Sequence, residues 1–315
     1  MNSIKYLLIS NSLDFATDYI CYELESRKEK YLRINRDHFA DYKIKVDPVN
    51  VILTVEIDEQ KFIVEQGNLK AVYYRAPVFL RENCKGILSL QEQLYRSQWS
   101  SFIRNLIIFE DVIWMNNPVN TYKAENKALQ LKYANEIGFK LPKTLITNSG
   151  QVDIIESNDY IVKSLDTALF FTNDTEMFVY SNVVKGSEVK QSDLRDAPII
   201  LQEYIYPKID LRVTVVSNSV YAVKIIKNGN GIDGDWRKLK DDVEFIPYQL
   251  PDRIKKMCVL LLKKFKLLFG AIDLAYIEGE YYFIEINPTG EWSWLVDAAG
   301  QLIYKDIADV LIEGE

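Results

Sequence analysis

The segment Gly270-Ala-Ile-Asp-Leu-Ala-Tyr-Ile-Glu-Gly-Glu-Tyr-Tyr-Phe-Ile-Glu-Ile-Asn-Pro-Thr-Gly290 constrains this chain more than any other. Ile272, Leu274 and Tyr276 alternate with Asp273 and Ala275, and Tyr282, Ile284 and Ile286 alternate with Phe283, Glu285 and Asn287. That is the period-two pattern of half-buried strands. Glu278-Gly279-Glu280 is the expected turn. Pairing centred on Gly279 sets Asp273 opposite Glu285 and Ala271 opposite Asn287, with the even-numbered apolar residues on the other face. Carboxylates opposed on neighbouring strands repel unless a cation lies between them. Asp273, Glu285 and Asn287 offer the hard oxygen donors that Mg²⁺ takes while sharing its shell with water and substrate phosphates. A solvated hairpin with scattered acids is the competing reading.

The rest of the composition fits without deciding. A chain of 315 residues with 48% apolar content can bury two or three subdomain cores. Its net charge of −7 argues against a nucleic-acid backbone as main partner. Cys21, Cys84 and Cys258 are far apart and lack metal-ligand spacing, which implies a reducing compartment. Tyr6-Leu-Leu-Ile9 is too short for a signal sequence or a membrane span, and no later run reaches spanning length, so the expected location is the cytoplasm, with no membrane partner. A single histidine, His38, removes histidine-dependent triads and multi-histidine zinc sites, and its polar surroundings point to a surface role.

The first ~115 residues alternate apolar strands with amphipathic segments, the pattern of an α/β unit. Strands are expected at Lys5 to Ser10, Tyr31 to Ile34 and Ala71 to Tyr74, a helix at Thr17 to Arg27, and a hairpin of Val51 to Ile57 with Gln60 to Val64. Leu90 to Phe109 reads as one long helix anchored by Leu94, Phe102 and Leu106, followed by extended chain at Val112 to Trp114. Asn116-Asn117-Pro118 marks a boundary. Beyond it, Ala124 to Ile137 is helical with Gly138 as its C′ residue, and Tyr160 to Lys163 and Pro198 to Ile205 are strands. Leu211 to Val216 pairs with Val220 to Ile226, Ile254 to Phe265 is a cationic amphipathic helix, and Tyr304 to Ile312 closes the chain as a helix. Ser164 to Ala197 carries little pattern.

From Asn116 to Gly300 the chain resembles the ATP-grasp superfamily in five landmarks taken in order. They are Asn126-Lys127 opening a helix, Lys163 in a strand, Gln202-Glu-Tyr-Ile205, Asp210-Leu-Arg212, and Asp273 with Glu285-Ile-Asn287-Pro288. Asp235-Trp236-Arg237, the run Asn287-Pro-Thr-Gly-Glu-Trp-Ser-Trp-Leu295 and Tyr73-Tyr-Arg-Ala-Pro77 look like the microviridin-type, or graspetide, peptide-modifying ligases. The resemblance implies an α/β N-terminal domain, residues 1–115, followed by two α+β ATP-grasp subdomains that enclose the nucleotide. These would be a central subdomain with a lid, 116–205, and a C-terminal subdomain with the metal site, 206–315.

It also implies ATP and Mg²⁺ as cofactors. Lys127 and Lys163 would contact phosphates, Gln202, Glu203, Tyr204 and Ile205 would form the adenine-binding hinge, and Asp210 would meet the ribose. Arg212 and Arg237 would stabilise charge as catalytic groups, Arg237 also touching the nucleotide, and Asp273, Glu285 and Asn287 would hold metal. A guanidinium fork matches planar carboxylate and phosphate oxygens, whereas a charge inside the apolar strand around Arg212 is costly unless paired. Arg212 in a structural salt bridge, Arg237 as a solvated loop charge, Lys127 as a surface cation, and Arg75 either binding peptide or closing the N-terminal domain are alternatives the sequence leaves open. Trp292 and Trp294 read as core or interface packing. Where many relatives carry a glycine-rich lid, this chain has only Gly186 between Lys163 and Gln202, with Thr167, Thr172 and Ser187 as substitute donors.

The implied reaction activates Glu or Asp side chains of a ribosomal precursor peptide as acyl phosphates and joins them to Thr, Ser or Lys side chains as ester or amide macrocycles. An amino-acid ligase of the protein-glutamate-ligase type, and a non-catalytic nucleotide- or peptide-binding module, are the alternatives. The expected partner is the precursor peptide, and a homodimer is left open.

Overall fold

The computed structural model describes residues 2–75, 89–165, 169–172, 175–178 and 181–314, with backbone alone for 2, 169–172, 175–178 and 240–241. Cys84 and the Ala76-Pro77 end of the Tyr73 motif lie outside them.

The N-terminal region runs β1 (Asn2–Ser3), β2 (Tyr6–Ser10), α1 (Phe15–Ser26), β3 (Tyr31–Asn35), β4 (Lys43–Asp47), β5 (Ile52–Ile57), β6 (Gln60–Glu65), β7 (Ala71–Tyr74), α2 (Leu90–Asn105) and β8 (Ile113–Met115). Strands β3-β2-β7-β8 form a parallel sheet, and β1-β6-β5-β4 a smaller one. Every residue of β2 is buried. Leu7 and Ile9 face one core, with Val55, Ile103 and Phe109, while Tyr6 and Leu8 face another, with Ile20, Trp292 and Leu311. Burial on both faces is why this strand reads as a continuous apolar run. Asp58 and Glu59 take positive φ in the β5–β6 turn, matching the hairpin read from sequence.

The long helix expected over 90–109 ends earlier, at Asn105, with one 3₁₀ turn from Leu106 to Ile108. Ser89 and Glu92 close its start as a reciprocal capping box. Phe102 and Leu106 pack inward as expected, but Leu94 is 56% exposed and anchors nothing. His38 is exposed beside Asp41, a surface position.

The remainder runs α3 (Pro118–Glu125), α4 (Lys127–Ile137), β9 (Thr144–Thr147), β10 (Asp159–Lys163), β11 (Leu169–Thr172), β12 (Thr175–Phe178), β13 (Asn182–Lys185), α5 (Gly186–Gln191), β14 (Ile199–Glu203), β15 (Ile209–Val216), β16 (Ser219–Ile226), β17 (Glu244–Pro247), α6 (Asp252–Phe265), β18 (Phe269–Ile277), β19 (Glu280–Asn287), α7 (Trp294–Ala299) and α8 (Ile303–Glu313). The helix expected at 124–137 is two helices, because Asn126 is extended and its side chain caps α4 by accepting from the Leu129 N–H. Gly138 closes α4 in the left-handed region at φ 100°.

Two antiparallel sheets follow: β13-β10-β14-β9, and β17-β16-β15-β18-β19. The segment with little pattern holds the β11–β12 hairpin, β13 and α5. On the five-stranded sheet, Leu211, Val213, Ile272, Leu274 and Ile286 pack against the α6 stripe Ile254, Met257, Cys258, Leu261, Leu262 and Phe265, together with Ala134 of α4. That stripe follows the helical period, so one face of α6 buries and its cations face outward. Among the described residues no helix is long and apolar enough to cross a membrane.

Asn116, 2% exposed, ties the two halves together. Its amide donates to the carbonyls of Phe269 (2.8 Å) and Pro288 (2.9 Å) and accepts from the N–H groups of Leu268 (2.8 Å) and Phe269 (3.0 Å). A leucine there would leave buried backbone groups unpaired at the start of β18. Asn116→Leu is expected to cost at least about 2 kcal/mol in chemical denaturation, from unpaired groups worth roughly 1–3 kcal/mol each; an unchanged midpoint would remove Asn116 from this role.

Candidate functional site

The hairpin fixes the floor of a cleft between the two antiparallel sheets. Asp273 pairs across from Glu285 and Ala271 from Asn287, the register expected from sequence. Between Asp273 and Leu274 the register shifts by one, so that Leu274 faces Phe283 and the loop is the two-residue turn Glu278-Gly279. Ile284 is the extra residue of this bulge. Its consequence corrects the expected alternation: Phe283 and Tyr281 enter the core with Leu274, while Ile284 turns to line the cleft. One apolar face of even-numbered residues does not exist beyond the bulge.

β15 is the neighbour of β18, and Arg212 stands opposite Asp273. Its Nη1 donates to Asp273 Oδ1 at 2.8 Å, and Nη2 reaches the Glu291 carbonyl at 3.4 Å. Nε is buried with no hydrogen-bond partner. Asp210 lies two residues upstream on the same face, bonded to Lys208. Burial pushes the Asp210 carboxyl above its ordinary value, with Lys208 pulling back and Asp273 and Asp235 pushing the same way as burial.

Lys127 enters from the first turn of α4 and donates to Glu285 Oε2 at 2.9 Å, while Asn287 Nδ2 donates to Oε1 at 3.1 Å. One turn further along α4, Gln130 is buried and exchanges two bonds with Ile286: its Nε2 donates to the carbonyl (2.8 Å) and its Oε1 accepts from the N–H (3.1 Å). β19 is an edge strand, so this side chain takes the place of a neighbouring strand between Glu285 and Asn287. Sequence reasoning missed Gln130, as it missed Lys208.

The opposite wall is β10 and β14. Lys163 ends β10 half-buried, and its Nζ donates to Gln202 Oε1 at 2.9 Å, with Gln202 Nε2 donating to Thr144 Oγ1 at 2.9 Å. Burial lowers the Lys163 pKa, Glu285 opposes that, and the neighbouring Lys127 and Arg237 lower it further. Glu203 is exposed, and the N–H groups of Glu203 and Tyr204 already donate to the carbonyls of Lys143 (2.8 Å) and Asp159 (3.3 Å). Tyr204 also accepts the Gly234 N–H at 2.8 Å, tying the linker to the glycine-containing loop. In that loop Asp235 is buried and grips Arg237 through Nε (2.9 Å) and Nη2 (3.0 Å). Although burial opposes it, this pairing holds the Asp235 carboxyl below its ordinary value. The Arg237 side chain keeps 44% exposure, but its guanidinium is aimed by a buried acid.

Lys163, Gln202, Glu203, Tyr204, Ile205, Asp210, Arg237, Asp273 and Glu285 therefore all line one cleft. Lys127, Arg212 and Asn287 bond to its two central acids from the sides. Arg75 lies apart. It is buried, with bonds to Asp14 (3.3 Å), Glu291 (2.9 Å) and the carbonyls of Thr289 (2.8 Å) and Gly290 (3.1 Å), which close the N-terminal sheet on the loop after Asn287. Trp292 is fully buried and Trp294 packs with Trp236 and Phe245, as the sequence suggested.

Gly186 and the Ser187 N–H are both committed within the fold around α5. Gly186 opens α5, where an added Cβ would lie 2.4 Å from the Ile155 carbonyl oxygen, so its small size serves packing. The Ser187 N–H already donates to the Glu156 carbonyl at 3.0 Å. Thr167 and the Thr172 side chain lie outside the described residues.

Among the described residues no three acidic, histidine or cysteine side chains cluster as a metal site. The donor set here is two carboxylates and an amide, all oxygen, which suits Mg²⁺. The electrostatics agree. Burial and the nearby Glu285 raise the Asp273 pKa despite Arg212, whereas Lys127, Lys163 and Arg237 overcome burial and hold Glu285 well below its ordinary value. Glu285 is thus held ionised by three cations, whereas Asp273, although paired with Arg212, is pushed towards its neutral form.

No protein-family model and no curated protein sequence matches the chain. Solved structures do. A RiPP-associated ATP-grasp ligase of Chryseobacterium gregarium, in complex with ADP and a leader and core peptide, is 28% identical over 100% of this chain and 98% of that one, with a TM-score of 0.85. The macrocyclase MdnC of Microcystis aeruginosa MRC, bound with precursor peptide MdnA, is 24% identical over 98% and 99%, at 0.83. D-alanine–D-alanine ligase of Bacillus anthracis, complexed with ATP, is 11% identical over 100% and 97%, at 0.58.

The signs for the two acids are opposite. Asp273, with its folded pKa raised, loses stability as pH rises through that value; Glu285, with its pKa lowered, contributes stability above its unfolded pKa and loses it as pH falls through the folded one. In metal-free protein at pH 7, Glu285→Gln, which leaves Lys127 without its partner, is thus expected to lower the thermal midpoint more than Asp273→Asn, whose lost bond to Arg212 is offset by removal of a buried charge. The reverse order of the two midpoints would overturn this assignment.

Proposed function

We propose that this chain, which has the ATP-grasp fold shared with RiPP-associated ligases, is an ADP-forming ligase that activates carboxyl side chains of a ribosomal precursor peptide and joins them to hydroxyl or amine side chains. The observation that carries the reading is the convergence of Lys127, Lys163, Arg212 and Arg237 on Asp273, Glu285 and Asn287 in one cleft. Four cations around two acids suit a metal-bound triphosphate better than any neutral ligand.

On this reading ATP lies between the two antiparallel sheets. The Ile205 N–H, which has no partner among the described residues, is free to meet the base, and Asp210 with Lys208 faces the ribose side. Asp273, Glu285 and Asn287 would hold Mg²⁺, which supplies neutralisation of phosphate charge when bound. Lys127 and Lys163 orient phosphate oxygens, and burial makes Lys163 a strong partner for an anion because little water competes. Arg212 and Arg237, each aimed by an acid, offset the charge that grows on the transferring group.

A substrate carboxylate oxygen attacks the γ-phosphorus and the bond to the β-phosphate oxygen breaks, giving an acyl phosphate and ADP. A hydroxyl or amine then attacks the acyl carbon, loses its proton, and expels phosphate. Positioning and charge stabilisation suffice for these steps, which is why a chain with one histidine can perform them. Residues 1–115, 116–205 and 206–315 are taken as N-terminal, central and C-terminal units, with α3 and α4 crossing onto the C-terminal sheet. The free Cys21 and Cys258 support a cytoplasmic setting.

Incubation with Mg-ATP and a candidate precursor, followed by mass spectrometry, separates the readings. Loss of one water per bond supports macrocyclisation, gain of a residue mass supports amino-acid ligation, and absence of ATP turnover would leave only a binding module. Glu285→Gln is expected to abolish modification, and near-normal turnover would remove it from the metal set. Lys163→Ala should weaken ATP binding at least tenfold by calorimetry, or about 1.4 kcal/mol, and an unaltered affinity would end its assignment.

A further inference from the structure

The five-stranded sheet carries a second concavity on the face turned away from the cleft. Val220 and Ala222 of β16 share the face that packs under α6, whereas Arg212 and Asp273 point to the opposite face. Over Val220 lies a cavity of about 610 Å³, walled by Lys255, Lys256 and Lys263 and floored by Val259 and Leu260 of α6. It shares Val220 and Lys255 with a smaller cavity of about 120 Å³, bounded by the 247–250 segment and by Gln301 between α7 and α8. The two cavities adjoin through these shared residues and are taken together as one groove.

Three properties of the groove point to one class of ligand. First, it is cationic on a chain whose net charge is −7. Lys256 and Lys263 are exposed and make no ion pair among the described residues; Lys255 approaches only Asp252, at 3.7 Å, while Lys264, with Glu136, faces elsewhere. Second, Leu260 is 52% exposed between these lysines, beside Val259, which leaves an apolar strip flanked by positive charge. Third, Gln301 is 8% exposed and lines the far end. Its Nε2 donates to the Ala222 carbonyl at 3.1 Å, and its Oε1 is buried with no hydrogen-bond partner. A buried acceptor left unpaired costs free energy until a donor reaches it.

We propose that this groove docks an acidic, partly apolar peptide segment, with carboxylates on Lys255, Lys256 and Lys263, an aliphatic side chain on Val259 and Leu260, and an N–H donor on Gln301 Oε1. Charge complementarity selects the occupant, because no acidic side chain lines either cavity. The assignment rests on the peptide-ligase reading only for the source of that segment, a part of the substrate peptide away from its reacting carboxyl. Holding a peptide outside the cleft raises the effective concentration of its reactive side chains within it.

The probe is a short fluorescein-labelled peptide of alternating glutamate and leucine, with a lysine-leucine peptide as control, read by anisotropy. The intact chain is expected to bind the glutamate peptide and not the control, with affinity falling as salt rises. Lys256→Glu combined with Lys263→Glu should weaken that binding at least tenfold, and Gln301→Met several-fold, while Mg-ATP affinity measured by calorimetry stays as in the unaltered chain. Equal peptide affinity in the charge-reversed variant, or no binding by the unaltered chain, overturns the proposal. A variant that changes only self-association in sedimentation assigns the face to a second copy and overturns it equally. Mg-ATP binding without peptide binding sinks the groove and spares the cleft; peptide binding without Mg-ATP binding does the opposite.

Discussion

The pairing of Asp273 with Glu285 across β18 and β19 is the constraint on which the rest of the site depends. Opposed carboxylates at that spacing repel, and the fold answers by bringing a different cation to each: Arg212 from the neighbouring strand and Lys127 from a helix. The compensation is unequal. Glu285 is held ionised by three surrounding cations, whereas Asp273 remains pushed towards its neutral form by burial and by Glu285 itself. A divalent cation would remove that imbalance, so the resting electrostatics already favour what the site is proposed to hold.

Positioning these groups uses the edge of a sheet. β19 has a partner on one side only, and an open edge is free to fray or to pair with another chain. Here α4 and the residues after it cover that edge through Gln130 at Ile286 and a bond from the Phe283 N–H to the Lys140 carbonyl. Lys127 lies on the same helix, so one element both steadies the strand and supplies a charge to it. From the other end, Asn116 and Arg75 fasten the 287–291 loop to the N-terminal half. Asn287 thus sits between two anchored segments.

Much of the site could be read in the chain because strand periodicity transmits position directly. Asp273, Glu285 and Asn287 were legible from alternation and a turn, and Arg212 from a charge set in an apolar run. Gln130 was not, because a lone glutamine on a helix resembles any surface residue until the edge it covers is known. The bulge at Ile284 escaped for a related reason: Tyr281-Tyr282-Phe283-Ile284 are apolar in succession, so the pattern does not say which of them faces the core, and only the packing of Phe283 and Tyr281 shows the shift in pairing register. Leu94 failed in the other direction, since helical spacing names a face without saying whether anything covers it.

By itself the sequence determined the kinds of strand and helix, the helix stop at Gly138, and the opposition of two acids, since each depends on neighbours a few residues apart. Tertiary structure alone decided which cation meets which acid, which edge a glutamine covers, and that Gly186 serves packing against Ile155. Those outcomes join residues as far apart as Arg75 and Glu291, and no local pattern carries information over such a separation.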